Sequence, residues 1–252
     1  MTNPILVTGG TGDLGREVVR RLVAGGRPVR IMSRRPRPAD EPNEWARCDL
    51  KTGNGLAEAV DGVSAIVHCA STLGRGDAQV TRNLVEAAKR AGGPHLVYIS
   101  IVGIDAIRFF YYDEKLACER VIEESGLPWT VLRATQFHEL MVRMSSAQRR
   151  LPVTIVPSGF RFQPVSTGDV ADRLVALVSA PPSGRAPDLG GPEVRSARDL
   201  AEAYQRSAGR RKPIVSLWLP GKAARAFRAG GNLTPENATG AGTFEEFLSS
   251  RV

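Results

Sequence analysis

The sequence is poor in the residues that most readily announce a function. It holds three histidines and three cysteines, and aromatics make up 6% of it. Cys48, Cys69 and Cys118 are an odd number without metal-ligand spacing, which argues against a disulfide framework or a zinc site, and no metal is expected. Cys69 sits in an apolar run and Cys118 among helix formers, so they read as small core fillers in a reducing compartment. No apolar run approaches the roughly eighteen residues of a membrane span. Met1-Thr2-Asn3-Pro4 starts no basic-then-apolar leader, so a cytoplasmic protein without a membrane partner is expected. Acidic residues are outnumbered, 26 against 34 Lys and Arg. The excess comes in short scattered clusters such as Arg20-Arg21, Arg149-Arg150 and Arg210-Arg211-Lys212. No basic arm or RNA-binding aromatic signature accompanies them, so they read as a solvated surface with local phosphate sites, and no nucleic-acid partner is expected.

What is present is a core and a rhythm. Hydrophobic residues are 42% of the 252, enough for one large α/β unit. Short apolar strands at Ile5–Val7, Val29–Met32, Trp45–Asp49, Ala65–Ala70, Leu96–Ile99 and Trp129–Leu132 alternate with helical patterns. That alternation predicts a doubly wound parallel sheet, a Rossmann-type α/β fold with right-handed crossovers. Residues 1–135 are expected to form the dinucleotide-binding core. Residues 136–252 are expected to supply a final strand near Ala186–Leu189, further helices and a small substrate-binding region, all in one compact unit. The Gly-, Asn- and Thr-rich stretch 230–242 reads as a mobile connection to a last helix, Phe244–Leu248.

The first strand runs straight into Thr8-Gly9-Gly10-Thr11-Gly12-Asp13-Leu14-Gly15 and then a helix. Glycines at 9, 12 and 15 permit a tight turn, close approach of backbone to a pyrophosphate, and close packing of helix on sheet. Amides at the helix N-terminus then face the anion. After the second strand, where a carboxylate would hold the ribose 2′-hydroxyl of NAD, the chain reads Ser33-Arg34-Arg35. A guanidinium there pairs with a 2′-phosphate and stacks on adenine, which points to NADP(H). Asp49 and Leu50, after the third strand, are placed beside the adenine, although an Asp at a strand end also serves as a turn residue.

Two segments carry a family resemblance: the Thr8–Gly15 loop and Tyr111-Tyr112-Asp113-Glu114-Lys115-Leu116-Ala117-Cys118-Glu119. With Tyr98–Gly103, Ser125–Arg133, Gln163-Pro164-Val165 and Thr243–Leu248, they resemble the atypical short-chain dehydrogenase/reductases, in the NmrA-like, NAD(P)-binding subgroup. The resemblance implies a catalytic Tyr and Lys four residues apart, here Tyr111 and Lys115. On one helical face an ammonium favours the phenolate and lowers the Tyr pKa from about 10, making it a usable acid/base. Tyr111 then protonates a substrate oxygen, and Lys115 also binds the nicotinamide ribose. Within the run Phe109-Phe110-Tyr111-Tyr112, Tyr111 as a mere pocket wall and Tyr112 as the acid both remain open.

The family's active-site Asn is replaced by Asp77, and its reactive hydroxyl falls near Ser100, which either orients substrate or ends a strand. Ala70 and Ser71 are expected at the cofactor. Ser71, Thr72, Leu73, Phe109, Gln136, Phe137 and His138 are expected at the substrate, with His138 either an auxiliary acid/base or a hydrogen-bonded pocket residue. The leading expectation is an NADPH-dependent reductase of a small apolar carbonyl, enone or quinone, acting as monomer or homodimer. A non-catalytic NADP-binding regulatory protein is the alternative, and nucleotide-sugar epimerase or dehydratase chemistry comes third because the chain is short for it.

Overall fold

The computed structural model describes residues 3–72 and 74–250; Leu73 lies outside them. The chain folds as two compact units rather than one. The first comprises Met1–Ser100, Phe110–Leu132 and Ala171–Ala186; the second comprises Ile101–Phe109, Arg133–Val170 and Pro187–Val252. The chain passes between the two units several times.

In the first unit the strands are β1 (Ile5–Thr8), β2 (Val29–Ser33), β3 (Glu44–Arg47), β4 (Ala65–His68), β5 (His95–Ile101) and β6 (Trp129–Ala134). The helices are α1 (Asp13–Ala24), α2 (Leu56–Val60), α3 (Asp77–Arg90) and α4 (Phe110–Glu123). With the short strand Gly184–Arg185, which follows β6 at the edge, they build a seven-stranded parallel sheet in the order 3-2-1-4-5-6-edge. β1 pairs with β2 on one side and β4 on the other, Thr8 opposite Met32 and His68. Here the winding of the sheet reverses, and in such sheets ligands bind beyond the strand carboxyl ends at that point. Ile5, Leu6 and Val7 are fully buried, as expected of a central parallel strand covered on both faces. α1 turns Leu14, Val18, Val19 and Leu22 inward at helical spacing. α4 starts at Phe110, three residues before the predicted Asp113, so Tyr111 and Tyr112 lie in its first turn.

The second unit has its own apolar core, including Met141, Phe160, Phe162, Leu200, Phe244 and Leu248. Around it lie α5 (His138–Ser146), β7 (Thr154–Pro157), β8 (Arg161–Phe162), β10 (Arg195–Ser196), α7 (Ala197–Ser207), β11 (Ile214–Leu217), α8 (Lys222–Arg228) and α9 (Phe244–Ser249). Here β9 names the Gly184–Arg185 edge strand and α6 the helix Thr167–Ser179. β7 and β11 form a parallel pair, β8 and β10 an antiparallel one. The stretch 230–242 is not the loose connection its composition suggests. Asn232 and Thr234 are buried. The Asn232 amide donates to the Arg161 carbonyl (2.9 Å), and Thr234 N–H donates to the Gln163 side chain (2.8 Å). Amide side chains, Asn232 within the stretch and Gln163 outside it, satisfy backbone groups there, a use that composition cannot distinguish from solvation.

Asn232→Ala takes the donor from the partly buried Arg161 carbonyl and is expected to cost about 1–3 kcal/mol. A urea melt of this variant that matches wild type would show the segment to be peripheral.

Candidate active site

The loop between β1 and α1 is shaped by contacts a side chain would destroy. Gly9 has φ +66°, and a Cβ on it would stand 2.8 Å from the Ala70 amide nitrogen. A Cβ on Gly15 would fall 2.1 Å from the Gly9 carbonyl oxygen. Gly12 is under less internal pressure: its hypothetical Cβ meets only that same oxygen, at 3.3 Å. Gly12 is also the N-cap of α1 and provides no capping side chain. Thr11, Gly12 and Asp13 are exposed, whereas Gly10, Leu14 and Gly15 are buried. The loop is therefore a bare helix N-terminus open to an incoming anion, and the glycine least needed by the fold is the one with most room for a pyrophosphate. Thr8 anchors it from below, its hydroxyl accepting the Ala70 amide (3.2 Å) and bonding His68 Nδ1 (2.7 Å).

At the end of β2, Ser33 is buried while Arg34 and Arg35 are exposed. The Ser33 hydroxyl accepts from the Arg35 amide (3.2 Å), and the Trp45 indole donates to the Arg35 carbonyl (3.0 Å), fixing the backbone. Among the described residues neither guanidinium forms an ion pair. Asp49 accepts from the Lys51 amide (2.9 Å), a turn role, and the Leu50 carbonyl accepts from the Asn83 side chain (2.8 Å).

At the carboxyl ends of β4 and β5 the charged groups meet. Lys115 is buried in α4, its Nζ 3.5 Å from the buried Asp77 carboxylate at the start of α3. It also donates to the Tyr98 hydroxyl (3.1 Å) and lies 5.8 Å from the Tyr111 ring centre. Asp77 accepts from the Ser71 hydroxyl (2.7 Å) and from the Thr72 amide (2.6 Å) and hydroxyl (2.7 Å). Burial pushes its carboxyl up, but Lys115 and the Thr72 and Ser71 hydrogen bonds outweigh this and hold it below the ordinary value. Tyr111 is half-buried, and its hydroxyl stands 3.4 Å from Ser71 Oγ. Tyr112 is buried. The Ser100 hydroxyl is buried and has no hydrogen-bond partner among the described residues.

Two members of this cluster escaped the sequence reading. Tyr98 receives the Lys115 hydrogen bond, and burial raises its pKa well above the usual phenol value. His68 stacks on Tyr98 with ring centres 5.3 Å apart. The clue was register: two strands that pair in parallel put His68 directly opposite Tyr98. Glu114 was also missed; it accepts the Gly76 and Ala78 amides and so caps α3 from the neighbouring helix.

The expected substrate residues divide between the units. Thr72 belongs to the first and is exposed. Phe109, Gln136, Phe137 and His138 belong to the second. Phe109 is exposed and Phe137 half-buried. Gln136 is buried and donates to the Asn232 carbonyl (3.2 Å). His138 is fully buried edge-on to Phe244 and Phe247, and burial pushes its pKa down, which makes it a core residue of its unit. Among the described residues no group of His, Cys, Asp and Glu side chains could hold a metal, and no helix is long and apolar enough to cross a membrane.

A family model described as NAD(P)H-binding matches residues 9–181, from the glycine loop to the edge of the sheet. The chain belongs to this NAD(P)H-binding family. It is 30% identical over 215 residues to the (4-alkanoyl-5-oxo-2,5-dihydrofuran-3-yl)methyl phosphate reductase of Streptomyces griseus, covering 82% of this chain and 74% of that protein. It is 28% identical over 222 residues to the NAD(P)H azoreductase of Xenophilus azovorans, covering 85% of this chain and 77% of that protein. Its fold matches that of the NADPH-dependent quinone oxidoreductase of Escherichia coli, solved with NADPH, at a TM-score of 0.83, with 22% identity over 98% of this chain and 99% of that one. These relationships make the chain an NAD(P)H-dependent oxidoreductase.

Gly12→Ala is expected to fold normally and weaken dinucleotide binding about tenfold or more, since 1.4 kcal/mol suffices for that. Gly15→Ala is expected to unfold the loop instead. Equal uptake by Gly12→Ala and wild type in a fluorescence titration would remove the glycine loop from binding. His68 gives a pH test. Burial, followed by the Lys115 charge, pushes its pKa from 6.5 down to about 3 against the opposing pull of Asp77. The unfolded chain binds that proton first, so the stabilisation is complete above pH 6.5 and is lost as pH falls toward 3. Across this window wild type should lose up to about 1.4 kcal/mol per pH unit more than His68→Gln. Parallel stability curves for the two proteins would contradict the assignment.

Proposed function

We propose that the chain is an NADPH-dependent reductase of a small apolar carbonyl, enone or quinone, with Tyr111 as proton donor. One observation carries the proposal: the half-buried Tyr111 places its hydroxyl within 3.4 Å of Ser71, which is bonded to the Asp77–Lys115 pair. The choice of NADPH rests on Arg34 and Arg35, exposed at the end of β2 and, among the described residues, in no ion pair. Thr8–Gly15 would hold the pyrophosphate, the two arginines the 2′-phosphate, and Ala70 and Ser71 the neighbouring part of the dinucleotide. The bound dinucleotide supplies hydride.

The residues of this chain manage the accompanying proton. Tyr111 gives its hydroxyl proton to the substrate oxygen. The resulting phenolate is stabilised from two sides: by the Lys115 ammonium, and by Ser71, whose hydroxyl rotor turns from Asp77 toward it. Asp77 tempers this. A carboxylate 3.5 Å from Nζ offsets much of the ammonium's field at Tyr111. Ser100, with its unpaired buried hydroxyl, is a donor for the substrate oxygen.

NADPH oxidation should be screened across quinones, enones and ketones. Tyr111→Phe is expected to lower kcat about 10²–10⁴-fold with NADPH binding unchanged. Asp77→Asn is expected to move the pH–rate profile toward lower pH. Replacing both Arg34 and Arg35 with Ala should weaken NADPH but not NADH binding. Tight NADPH binding without turnover on the panel would favour a non-catalytic role, and full activity in Tyr111→Phe would remove that residue from the chemistry.

A further inference from the structure

The positive charge of this protein is not spread evenly. Residues 140–168 and 203–235 contain eleven of the 34 Lys and Arg and none of the 26 acidic residues. The rest of the chain holds 23 basic against 26 acidic residues, so the whole net excess of +8 comes from these two stretches. Both belong to the second unit, and the β7–β11 pairing lays one alongside the other. Lys212 donates to the Arg149 and Leu151 carbonyls (2.6 and 2.5 Å) and Arg210 to the Arg149 carbonyl (3.2 Å). Arg149, Arg150, Arg210, Arg211 and Lys212 therefore form one cluster. Its internal bonds go to neutral carbonyls, and among the described residues none of the five forms an ion pair.

The same ribbon carries an apolar face. Ile155 and Val215 are register partners on β7 and β11, with Leu217 two residues further on the same side. All three are exposed, as is Leu151 beside the cations. Trp218 is 63% exposed and is held in place by the Arg228 guanidinium, 3.8 Å above its ring. Cations next to exposed aliphatic side chains and an ordered tryptophan match the composition of a surface that seats on an anionic lipid interface. The apolar groups enter the headgroup layer while Arg and Lys face lipid phosphates. A second copy of the chain does not suit this face, since two such clusters repel. Duplex nucleic acid would satisfy the cations but leave the aliphatic stripe in water.

We propose that the β7–β11 ribbon of the second unit, with the Arg149–Arg150 and Arg210–Lys212 cluster, is a peripheral docking surface for an anionic lipid bilayer. Attachment is electrostatic and reversible, with Trp218 and Leu217 as shallow anchors. The test is co-sedimentation of the full chain with phosphatidylcholine vesicles, with and without phosphatidylglycerol. The expected result is about tenfold or greater partition into the anionic vesicles, falling steeply with added salt. Arg149→Glu combined with Arg211→Glu should abolish it, and Trp218→Ser should weaken it with the salt dependence kept. All positions are on the surface, and unchanged thermal melting and NADPH uptake report that each variant is folded. Absence of anionic-vesicle binding at low salt, or binding by the double variant equal to wild type, overturns the proposal. So does tighter binding to duplex DNA than to vesicles that Trp218→Ser leaves unaltered.

Discussion

A β-carbon at position 15 would come within 2.1 Å of the Gly9 carbonyl oxygen, and this steric constraint underlies the dinucleotide-binding end of the molecule. It fixes how closely α1 approaches the β1 turn and so where the bare amides of the helix point. Thr8 extends the constraint sideways through His68 and the Ala70 amide. The loop after β4 is thereby tied to the loop after β1. The glycines hold a shape whose open side is lined by backbone.

A second fixed point is the buried Lys115–Asp77 pair. It joins the start of α3 to the middle of α4 beneath the loop that carries Ser71 and Thr72. Removing charges from water is costly, and a pair this buried persists because further donors and acceptors surround it. Thr72, Ser71 and Tyr98 provide them. An Asn would offer an amide and no charge; Asp neutralises the lysine. Through its bonds to Ser71 and Thr72 the same carboxylate also ties down that loop.

The basic residues of this chain differ in their surroundings. Arg21 is absorbed into ion pairs with Glu17 and Asp172, and Arg30 with Glu44. Those at 149–150 and 210–212 gather where acids are absent. Clusters that look alike in the chain therefore differ in what charge they leave toward solvent. The pairing of β7 with β11, sixty residues apart, makes the difference.

The doubly wound sheet and the glycine loop were legible in the chain because they rest on local rules: apolar periodicity, strand-to-helix spacing and the tolerance of one turn for glycine alone. The one-turn separation of Tyr111 and Lys115 was legible for the same reason. The partners of that pair were not, since Tyr98 and His68 come together only through strand register, and register is a property of the assembled sheet. The stretch 230–242 misled because buried Asn and Thr that satisfy distant carbonyls have the same composition as a solvated loop. Burial of His138 and the gathering of the basic clusters likewise depend on contacts between residues far apart in sequence. Local geometry is written in the order of residues; which side chain meets which charge is decided when distant segments pack.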